Sequence, residues 1–594
     1  MTFNIICDIF VDIMYIDDYS TVINGKKYKR ALLRESYREG EKVNKRTIAS
    51  LAHASDSQIE AIKLALKNSD DIVALKNARA GTFTSSGKSV GAVGMLYQVA
   101  QILGITKALG KSREAILFLW LVFARLIDQG SRLSATRLAR QHVVCEIMGV
   151  EGFDENDLYQ AMDWGCANQA KIESKLFQFL MHKKRSSDSD SDSDSEFEAE
   201  NIFLYDVTST YLEGNQNELA EYGYNRDKKQ GKRQIIYGLL TDKEGIPLSV
   251  EAFKGNTKDN KTLLSQIAKI KERFGVKYVT LVGDKGMIKS IEIEAIDEDE
   301  KFNYITSITK PQIEKLLKRE VIPLGLFDEK LAEVFDQEDG KRYILRRNPH
   351  RVEEMKLTRE SKLSKVRNKI SSANTYLSEH PGGKVKTQAK NLRKYLEKLK
   401  LNDYVEVVEQ PLGGGVGGGG GKSQTRRVGV GIEIDQDKLD ELSKLDGCYV
   451  LKTNLEKSKN LSKEIIHERY KALSEVEWAF RTQKTGYLEV RPVFVRKETR
   501  TRAHLLITML SYRLEHFLRK RWKDIDLTVE ESIKKLSRLS SVIINVKSEK
   551  LHRVPKPDKL SEQLLNAVQV KLPGILPLIE DGVDTKTKLQ NGRK

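Results

Sequence analysis

Two patterns of apolar positions divide the chain into a helical part and a mixed part. Between residues 85 and 185, apolar residues recur every three or four positions in the segments 90–109, 114–127 and 158–180, which is the spacing of amphipathic helices. After residue 200, apolar residues come in short runs rich in β-branched and aromatic side chains, which is typical of buried strands. We therefore predict an all-α region ahead of an α/β domain.

The runs after residue 200 follow an order that indicates one type of sheet. Predicted strands cover 201–207, 234–240, 246–253, 278–283 and 302–308, and a predicted helix covers 257–274. The short polar segment 243–245 separates the second strand from the third, so these two strands predict a hairpin. Three strands, a helix, then strand–helix–strand is the order of a ribonuclease-H-like mixed sheet with flanking helices.

A long insertion interrupts this α/β domain. Residues 311–445 contain two basic helical segments and a run of glycines at 413–421. The glycine run resembles a phosphate-binding loop, but Val416 stands where that loop needs its first glycine, so a flexible linker is the better interpretation. The predicted domains are a small mixed module at 1–84, the helical region at 85–185, an acidic Ser/Asp linker at 186–200, the α/β domain at 201–310 and 446–530, the insertion at 311–445, and a C-terminal tail at 531–594.

The chain carries a surplus of positive charge, which has two possible explanations. Lys and Arg number 101 against 84 Asp and Glu, which gives a net charge of +17 and a pI near 9.3. Such a surplus serves either solubility or the binding of a polyanion such as nucleic acid, and composition leaves both open. The four cysteines form no CxxC pair, so we expect no disulfide framework. The longest apolar run, 115–124, is half of the ~20 residues that cross a bilayer, so we expect no membrane partner.

Two aspartates lie at the ends of predicted strands. Asp206 stands in the run FLYDVTST, and Asp284 stands in TLVGDKGM. In open α/β sheets, functional side chains gather where strands end. Carboxylates there suit Mg²⁺, and two such ions can activate a nucleophile and stabilise the leaving oxygen of a phosphate diester. An aspartate at a strand end is also a common turn former, so each residue alone has a plain structural interpretation.

A third acid lies on a predicted helix at 462–485. Residues at offsets 0, 3, 7, 11 and 14 fall within roughly 80° of one another on a helix. That face carries Tyr470, Leu473, Glu477, Arg481 and Lys484. Glu475 falls well off this face, so Glu475 and Glu477 do not both point at one site. An amphipathic helix with solvated charges explains the same pattern, and the pattern alone does not decide between the two interpretations.

Taken together, these residues resemble the insertion-sequence transposases of the insertion-sequence-four-like superfamily, in particular the group with a long N-terminal helical region. The family places Tyr, Arg, Glu and Lys in fixed order around its catalytic glutamate. Tyr470, Glu477 and Lys484 match that order, whereas Leu473 stands in place of the arginine. The stretches YDVTST and GDKGM resemble the family's two aspartate motifs, and the resemblance covers most of residues 85–540.

The resemblance implies a DDE transposase. Asp206, Asp284 and Glu477 would be the catalytic, metal-binding acids, with Mg²⁺ or Mn²⁺ as cofactor and two ions at the site. Tyr470, Arg481 and Lys484 would contact DNA. The partners implied are double-stranded DNA, both element ends and target, and a second copy of the chain on paired ends. The resemblance further implies a prokaryotic, cytoplasmic, nucleoid-associated protein whose helical region binds the terminal inverted repeats.

Two other functions fit the same residues. A structure-selective nuclease of ribonuclease-H-like fold would use the same acids without strand transfer. A decayed transposase that acts as a DNA-binding repressor would bind DNA without cutting it, and Leu473 is compatible with such decay. The basic amphipathic segment 496–522 is likewise open to two interpretations, as a contact for DNA phosphates or as a core helix with a solvated basic face.

Overall fold

The computed structural model describes most of the chain. It covers residues 13–584 except 24–25, 40–41, 68–81, 188–200, 228, 277, 289, 298–301, 381, 412–427, 457–460, 492, 547–548 and 580–581. The glycine run and nearly all of the predicted acidic linker lie outside the described residues. Within the described residues, no helix is both long enough and apolar enough to cross a membrane.

The N-terminal module is a three-stranded antiparallel sheet with one helix. Its elements are β1 (Ile13–Ile23), β2 (Lys26–Glu39), β3 (Lys42–Ser50) and α1 (Asp56–Lys67). Ile59 on α1 and Ala31 on β2 are buried, and Lys63 of α1 pairs with Asp18 of β1 at 3.0 Å. The helix therefore covers one face of the small sheet.

The predicted all-α region is present. Its helices are α2 (Gly91–Ile102), α3 (Ile105–Leu109), α4 (Arg113–Ile127), α5 (Arg132–Ala139), α6 (Val144–Met148) and α7 (Glu155–Ser187). Ser112 caps α4, because its side chain accepts a hydrogen bond from the Ala115 N–H at 3.2 Å. The apolar run 115–124 lies inside α4 and is buried except for the partly buried Ile116, as expected for a helix enclosed by other helices.

The central sheet has eight strands. They are β5 (Asn201–Tyr211), β6 (Gln234–Asp242), β7 (Pro247–Lys254), β8 (Val279–Gly283), β9 (Phe302–Ser307), β10 (Ala332–Asp336), β11 (Lys341–Arg347) and β14 (Cys448–Thr453), in the spatial order β10-β11-β14-β9-β8-β5-β6-β7. β5, β8 and β9 are parallel, and the other pairs are antiparallel. The predicted hairpin and ribonuclease-H-like order are thus confirmed.

Helices from several parts of the sequence flank this sheet. They are α8 (Asp259–Lys269) with a π-helical turn (Ile270–Phe274), α9 (Ser290–Asp297), α10 (Lys310–Lys318) with a 3-10 turn (Leu324–Asp328), α14 (Lys463–Lys471), α15 (Leu473–Arg481) with a π-helical turn (Thr482–Gly486), and α16 (Glu498–Arg521). α16 packs against α4, α7 and β7. The basic segment 496–522 is therefore a core helix over most of its length, since residues such as Leu506, Leu510 and Leu514 are buried.

The insertion divides into two parts. β10 and β11 extend the central sheet through β14. The rest is α11 (Pro349–Glu379), α12 (Val385–Leu399), β12 (Val405–Pro411), β13 (Val428–Ile434) and α13 (Gln436–Ser443). This second part has its own apolar core, which includes Leu363, Val366, Leu392, Leu396 and Val430. The two predicted basic helices are therefore present and packed on a small hairpin.

The C-terminal residues return to the start of the helical region. α17 (Val529–Ser537), β15 (Ser540–Val546), β16 (Glu549–Arg553), α18 (Lys559–Ala567) and β17 (Ile575–Leu576) follow α16, and β15 pairs with β4 (Thr82–Ser89). The sheet order is β17-β16-β15-β4. Sequence patterns alone did not predict this four-stranded sheet, in which β4 and β15 are more than 450 residues apart in the chain.

Buried histidines make the fold sensitive to acid. His516 of α16 is buried, and burial together with the nearby cations Lys520 and Arg519 lowers its pKa to about 4. Because the folded pKa is lower than the unfolded value of about 6.5, folding favours the neutral imidazole. This stabilisation is fully present above pH 6.5, decreases as the pH falls below that value, and is lost as the pH falls through 4. We therefore expect protonation of His516 to lower the free energy of unfolding by up to about 3 kcal/mol between pH 6.5 and pH 4.

The matched variant His516→Gln isolates this contribution. Burial raises the pKa of Glu515 to about 7, so Glu515 acts in the opposite direction over the same pH range. The prediction therefore concerns the difference in unfolding free energy between wild type and His516→Gln, measured by urea denaturation at pH 7.5 and pH 4.5. The stability advantage of wild type should shrink on acidification, and an advantage independent of pH would contradict the prediction.

Candidate active site

Asp206 lies inside β5, and Asp284 follows directly after the neighbouring parallel strand β8. The prediction that Asp206 stands at the end of its strand was wrong, because β5 continues to Tyr211 by pairing with β6. β5 and β8 are paired in the register Leu204↔Val282, so continuing each strand by two residues brings Asp206 level with Asp284. Adjacent strands lie about 4.8 Å apart. Asp206 is partly buried and Asp284 is exposed. Both aspartates therefore occupy one edge of the site, at the carboxyl end of β8.

Backbone N–H groups orient the two carboxylates. Oδ1 of Asp206 accepts a hydrogen bond from the Val207 N–H at 2.8 Å. Oδ1 of Asp284 accepts one from the Gly286 N–H, and its carbonyl oxygen accepts one from the Met287 N–H at 2.9 Å. Asp284 thus forms the turn that ends β8. This structural role as a turn former is compatible with a functional role for the same carboxylate.

Glu477 reaches this edge from α15. One side of that helix is buried through Leu473, Val476, Ala479 and Phe480. The Phe480 ring meets the Tyr237 ring of β6 edge-on, with centroids 5.4 Å apart and planes at 88°. Because the apolar side is fixed against the sheet, the exposed Glu477 is held at a defined rotation about the helix axis.

Electrostatic interactions connect the three acids. The pKa of Asp206 rises to about 7, mainly because burial disfavours its charged form. The negative charges of Asp284 and Glu477 each raise this pKa further, whereas Arg226 and the Val207 N–H lower it. Burial also raises the pKa of Tyr470, and again Asp284 and Glu477 each add to the rise. The three carboxylates and the Tyr470 hydroxyl therefore lie within electrostatic range of one another.

The three acids are neighbours, but their side chains are not assembled into a metal-binding cluster. Over the ranges that the structure describes, no three Asp, Glu, His or Cys side chains are assembled tightly enough to hold a metal ion. Three carboxylates are nevertheless the hard oxygen donors that Mg²⁺ and Mn²⁺ prefer. Their mutual repulsion, seen in the pKa of Asp206, is the interaction that a divalent cation would relieve. The donor chemistry thus fits such an ion.

Glu475 lies elsewhere, as its position on the helix predicts. A Cβ added at Gly245, whose φ is +78°, would lie 2.8 Å from the Cβ of Glu475. Glu475 therefore packs against the turn between β6 and β7. Its charge also raises the pKa of Tyr512, on α16. The two glutamates of α15 face different surroundings.

The helix predicted over 462–485 is present but is divided in the structure. The helix is interrupted at Ala472, between α14 and α15, and it ends in a π-helical turn. Within α15, Leu473 is buried whereas Glu477 and Arg481 are exposed, so the predicted face is not polar throughout. Leu473, at the position of the family arginine, is buried in the core, where a charged side chain would be costly.

The three predicted DNA contacts have different surroundings. The Tyr470 hydroxyl donates to Oγ of Ser307 at 2.9 Å, which holds the ring beside the acids. The guanidinium of Arg481 lies over the Trp478 ring, 5.5 Å from its centroid. Nζ of Lys484 donates to Oγ1 of Thr208 at 2.9 Å, two residues after Asp206 on β5. Tyr470 and Lys484 therefore flank the acids.

Sequence patterns missed a buried aspartate that organises the basic residues. The Asp227 side chain is only 2% exposed, and its Oδ1 pairs with Nζ of Lys484 at 2.8 Å and with a guanidinium nitrogen of Arg491 at 2.5 Å. Its Oδ2 accepts from the Tyr211 N–H at 3.2 Å. Asp227 therefore fixes two cations from a distant segment beside β5.

The neighbouring Arg226 was missed as well. One guanidinium nitrogen donates to the Val207 carbonyl oxygen at 2.6 Å, another pairs with Asp259, and the positive charge lowers the pKa of Asp206. Arg226 and Asp227 lie in the loop between β5 and β6. The only sequence signal was a polar, charged stretch, and nothing in its spacing indicates which residue faces the acids.

The fold is ribonuclease-H-like, and comparison with known families specifies the class of protein further. Residues 198–514, more than half of the chain, match the family described as "Transposase DDE domain". Residues 19–74 match the "IS1634 family transposase, N-terminal domain". The chain belongs to the DDE transposases, enzymes that cleave and transfer DNA with the help of divalent metal ions.

The cryo-EM structure of the piggyBac transposase synaptic complex with hairpin DNA matches 75% of this chain and 76% of that chain, with a TM-score of 0.30 and 8% sequence identity. No curated protein sequence matches the chain.

Proposed function

We propose that Asp206, Asp284 and Glu477 are the three catalytic acids of this transposase and hold two Mg²⁺ or Mn²⁺ ions. One observation carries the proposal: the charges of Asp284 and Glu477 both act on Asp206, although the three residues come from separate elements. The register Leu204↔Val282 supports it, because two further residues along each segment bring Asp206 level with Asp284. The different surroundings of Glu475 support the choice of Glu477.

The chain's own residues supply positioning and charge. When bound, a pair of divalent ions activates the nucleophile and stabilises the leaving oxygen. Arg226, Lys484 and Arg491 are held beside the acids by Asp259 and Asp227, and their remaining N–H donors suit the binding of a scissile phosphate. The Tyr470 hydroxyl, held by Ser307, is available for a further hydrogen bond to phosphate. Arg481 takes a more peripheral part, as a DNA contact beside Trp478.

The reaction we propose has two phosphoryl transfers. In the first, the oxygen of water bonds to phosphorus, the bond to the 3′-oxygen breaks, and that oxygen leaves as a 3′-hydroxyl with a proton. In the second, the 3′-hydroxyl oxygen bonds to a phosphorus of the target and loses its proton, the bond from that phosphorus to a second 3′-oxygen breaks, and this oxygen leaves as a 3′-hydroxyl after taking up a proton. The raised pKa of Asp206 implies that a cation bound at this carboxyl would favour its ionised form.

The finer assignments rest on the resemblance of the sequence motifs. We propose membership of the insertion-sequence-four-like superfamily, binding of the terminal inverted repeats by the helical region 85–185, and a homodimer on paired ends. A prokaryotic, cytoplasmic location belongs to the same proposal. The domain division given by the sequence is retained, with the C-terminal segment now assigned to the sheet that contains β4.

Strand transfer separates this function from a plain nuclease. We expect the purified protein, given precleaved element ends, Mg²⁺ and a supercoiled plasmid, to join the ends to the plasmid and relax it. Agarose gels with labelled ends report the joined product, and an Asp206→Asn protein serves as control. Cleavage of element ends without any joined product would favour the structure-selective nuclease. Binding of the ends with neither reaction would favour the repressor.

A further inference from the structure

Helix α12 presents a row of lysines to solvent. Lys386, Lys390, Lys394 and Lys398 follow one another at intervals of four residues, and all four are exposed. Four residues advance a helix by about 6 Å, so the row extends over about 18 Å. The lysines therefore form one continuous line of positive charge along the helix.

The core of the insertion fixes the direction in which this row points. Ala389, Leu392 and Leu396 of α12 are buried against α11, β12 and β13. The lysine positions lie away from this buried stripe, from about 85° off its centre at Lys386 to about 165° at Lys394. The row cannot turn inward without exposing the apolar core of this module.

Nothing in the described part of the chain neutralises the row. None of its four ammonium groups makes an ion pair or a hydrogen bond there, in contrast to Lys362 of α11, which donates to the Leu399 carbonyl oxygen at 2.9 Å. From Lys384 to Lys400 the sequence holds seven basic residues and a single acid, Glu397. Like charges four residues apart destabilise a helix, so an external polyanion would relieve the repulsion.

We propose that the lysine row of α12 binds the phosphate backbone of double-stranded DNA without regard to sequence. B-form DNA carries one phosphate per about 3.4 Å on each strand, so about five phosphates of one strand lie within 18 Å. Lysines act on phosphates as point charges, and such contacts position DNA without reading bases. The inference rests on the proposed function only in that the chain acts on DNA.

The test compares two variants that lose the same charge. Lys390→Gln/Lys394→Gln removes the centre of the row, and Lys315→Gln/Lys318→Gln removes two exposed lysines of α10. Binding of the full chain to two fluorescent duplexes of unrelated sequence is measured by anisotropy in EDTA, between 50 and 200 mM salt. For the α12 variant we expect the slope of log K against log salt to fall by about 2 for both duplexes, and Kd at 0.1 M salt to rise about tenfold.

Several results would overturn the inference. An α12 variant with unchanged slope and Kd, or one no weaker than the α10 variant, shows that the row is only a solvated face. If the α12 variant binds only one of the two duplexes more weakly, the contact depends on sequence and the inference is wrong. If it binds both more weakly and its unfolding midpoint is also lower, the weaker binding comes from damage to the fold and not from the loss of the lysine charges. The assay contains no metal, so it is separate from catalysis: Asp206→Asn should bind as wild type even though it does not cut.

Discussion

Asp206→Asn and Asp284→Asn should each cut element ends at least about a thousandfold more slowly than wild type, a loss of roughly 4 kcal/mol of transition-state stabilisation. An amide keeps the size of the side chain but removes the charge that holds a divalent ion. Asp206 is partly buried and Asp284 ends a buried strand, so neither is replaced by a neighbouring acid. Single-turnover cleavage of a labelled end duplex in Mg²⁺ measures the rate.

A surface aspartate provides the matched control. Asp297 is exposed and pairs with Lys341 at 2.7 Å, so Asp297→Asn makes the same chemical change away from the acids. We expect this variant to cut at nearly the wild-type rate. All variants should retain binding to the ends, as measured without metal. Wild-type cleavage by Asp206→Asn would remove the basis of the proposed mechanism.

Asp227→Ala should have the largest effect on stability. The change leaves Lys484 and Arg491 with unpaired positive charge in a setting where their side chains are only 11% and 19% exposed. Removing one partner of a buried ion pair typically costs 3–5 kcal/mol. We therefore expect the free energy of unfolding to fall by about 3 kcal/mol, with slower cleavage because Lys484 and Arg491 lose their fixed positions.

An exposed ion pair gives the comparison for that prediction. Asp163 pairs with Arg500 at 3.0 Å, but its side chain is 40% exposed, and such pairs contribute about 0–1 kcal/mol. Urea denaturation of Asp227→Ala and Asp163→Ala should differ accordingly. Equal and small losses for both variants would show that water reaches the Asp227 cluster and that the cluster does not organise the site.

The parts of the fold that the sequence predicted are those with a local signal. The strands around Asp206 and Asp284 are buried on both faces, so their sequences are continuous apolar runs that stand out from polar turns. The apolar run in α4 is similarly conspicuous. The order of these elements then restricts the topology, because connections between neighbouring elements are short and sequential strands tend to lie together.

The missed features depend on contacts between distant segments. β4 is rich in serine and threonine, and it becomes a strand by pairing with β15 near the other end of the chain. Asp227 resembles an ordinary loop residue until Lys484 and Arg491 are brought to it. The interruption at Ala472 has no proline or glycine to announce it, so a continuous helical period extended across it in the sequence.

The central claim is most directly tested by comparing the two glutamates of α15 in one assay. Glu477→Gln and Glu475→Gln are the same substitution, two residues apart on one helix, and differ only in what each side chain faces. Mg²⁺-dependent cleavage of an end duplex should fall about a thousandfold or more for Glu477→Gln and stay near wild type for Glu475→Gln. Full activity of Glu477→Gln, or loss confined to Glu475→Gln, would contradict the account.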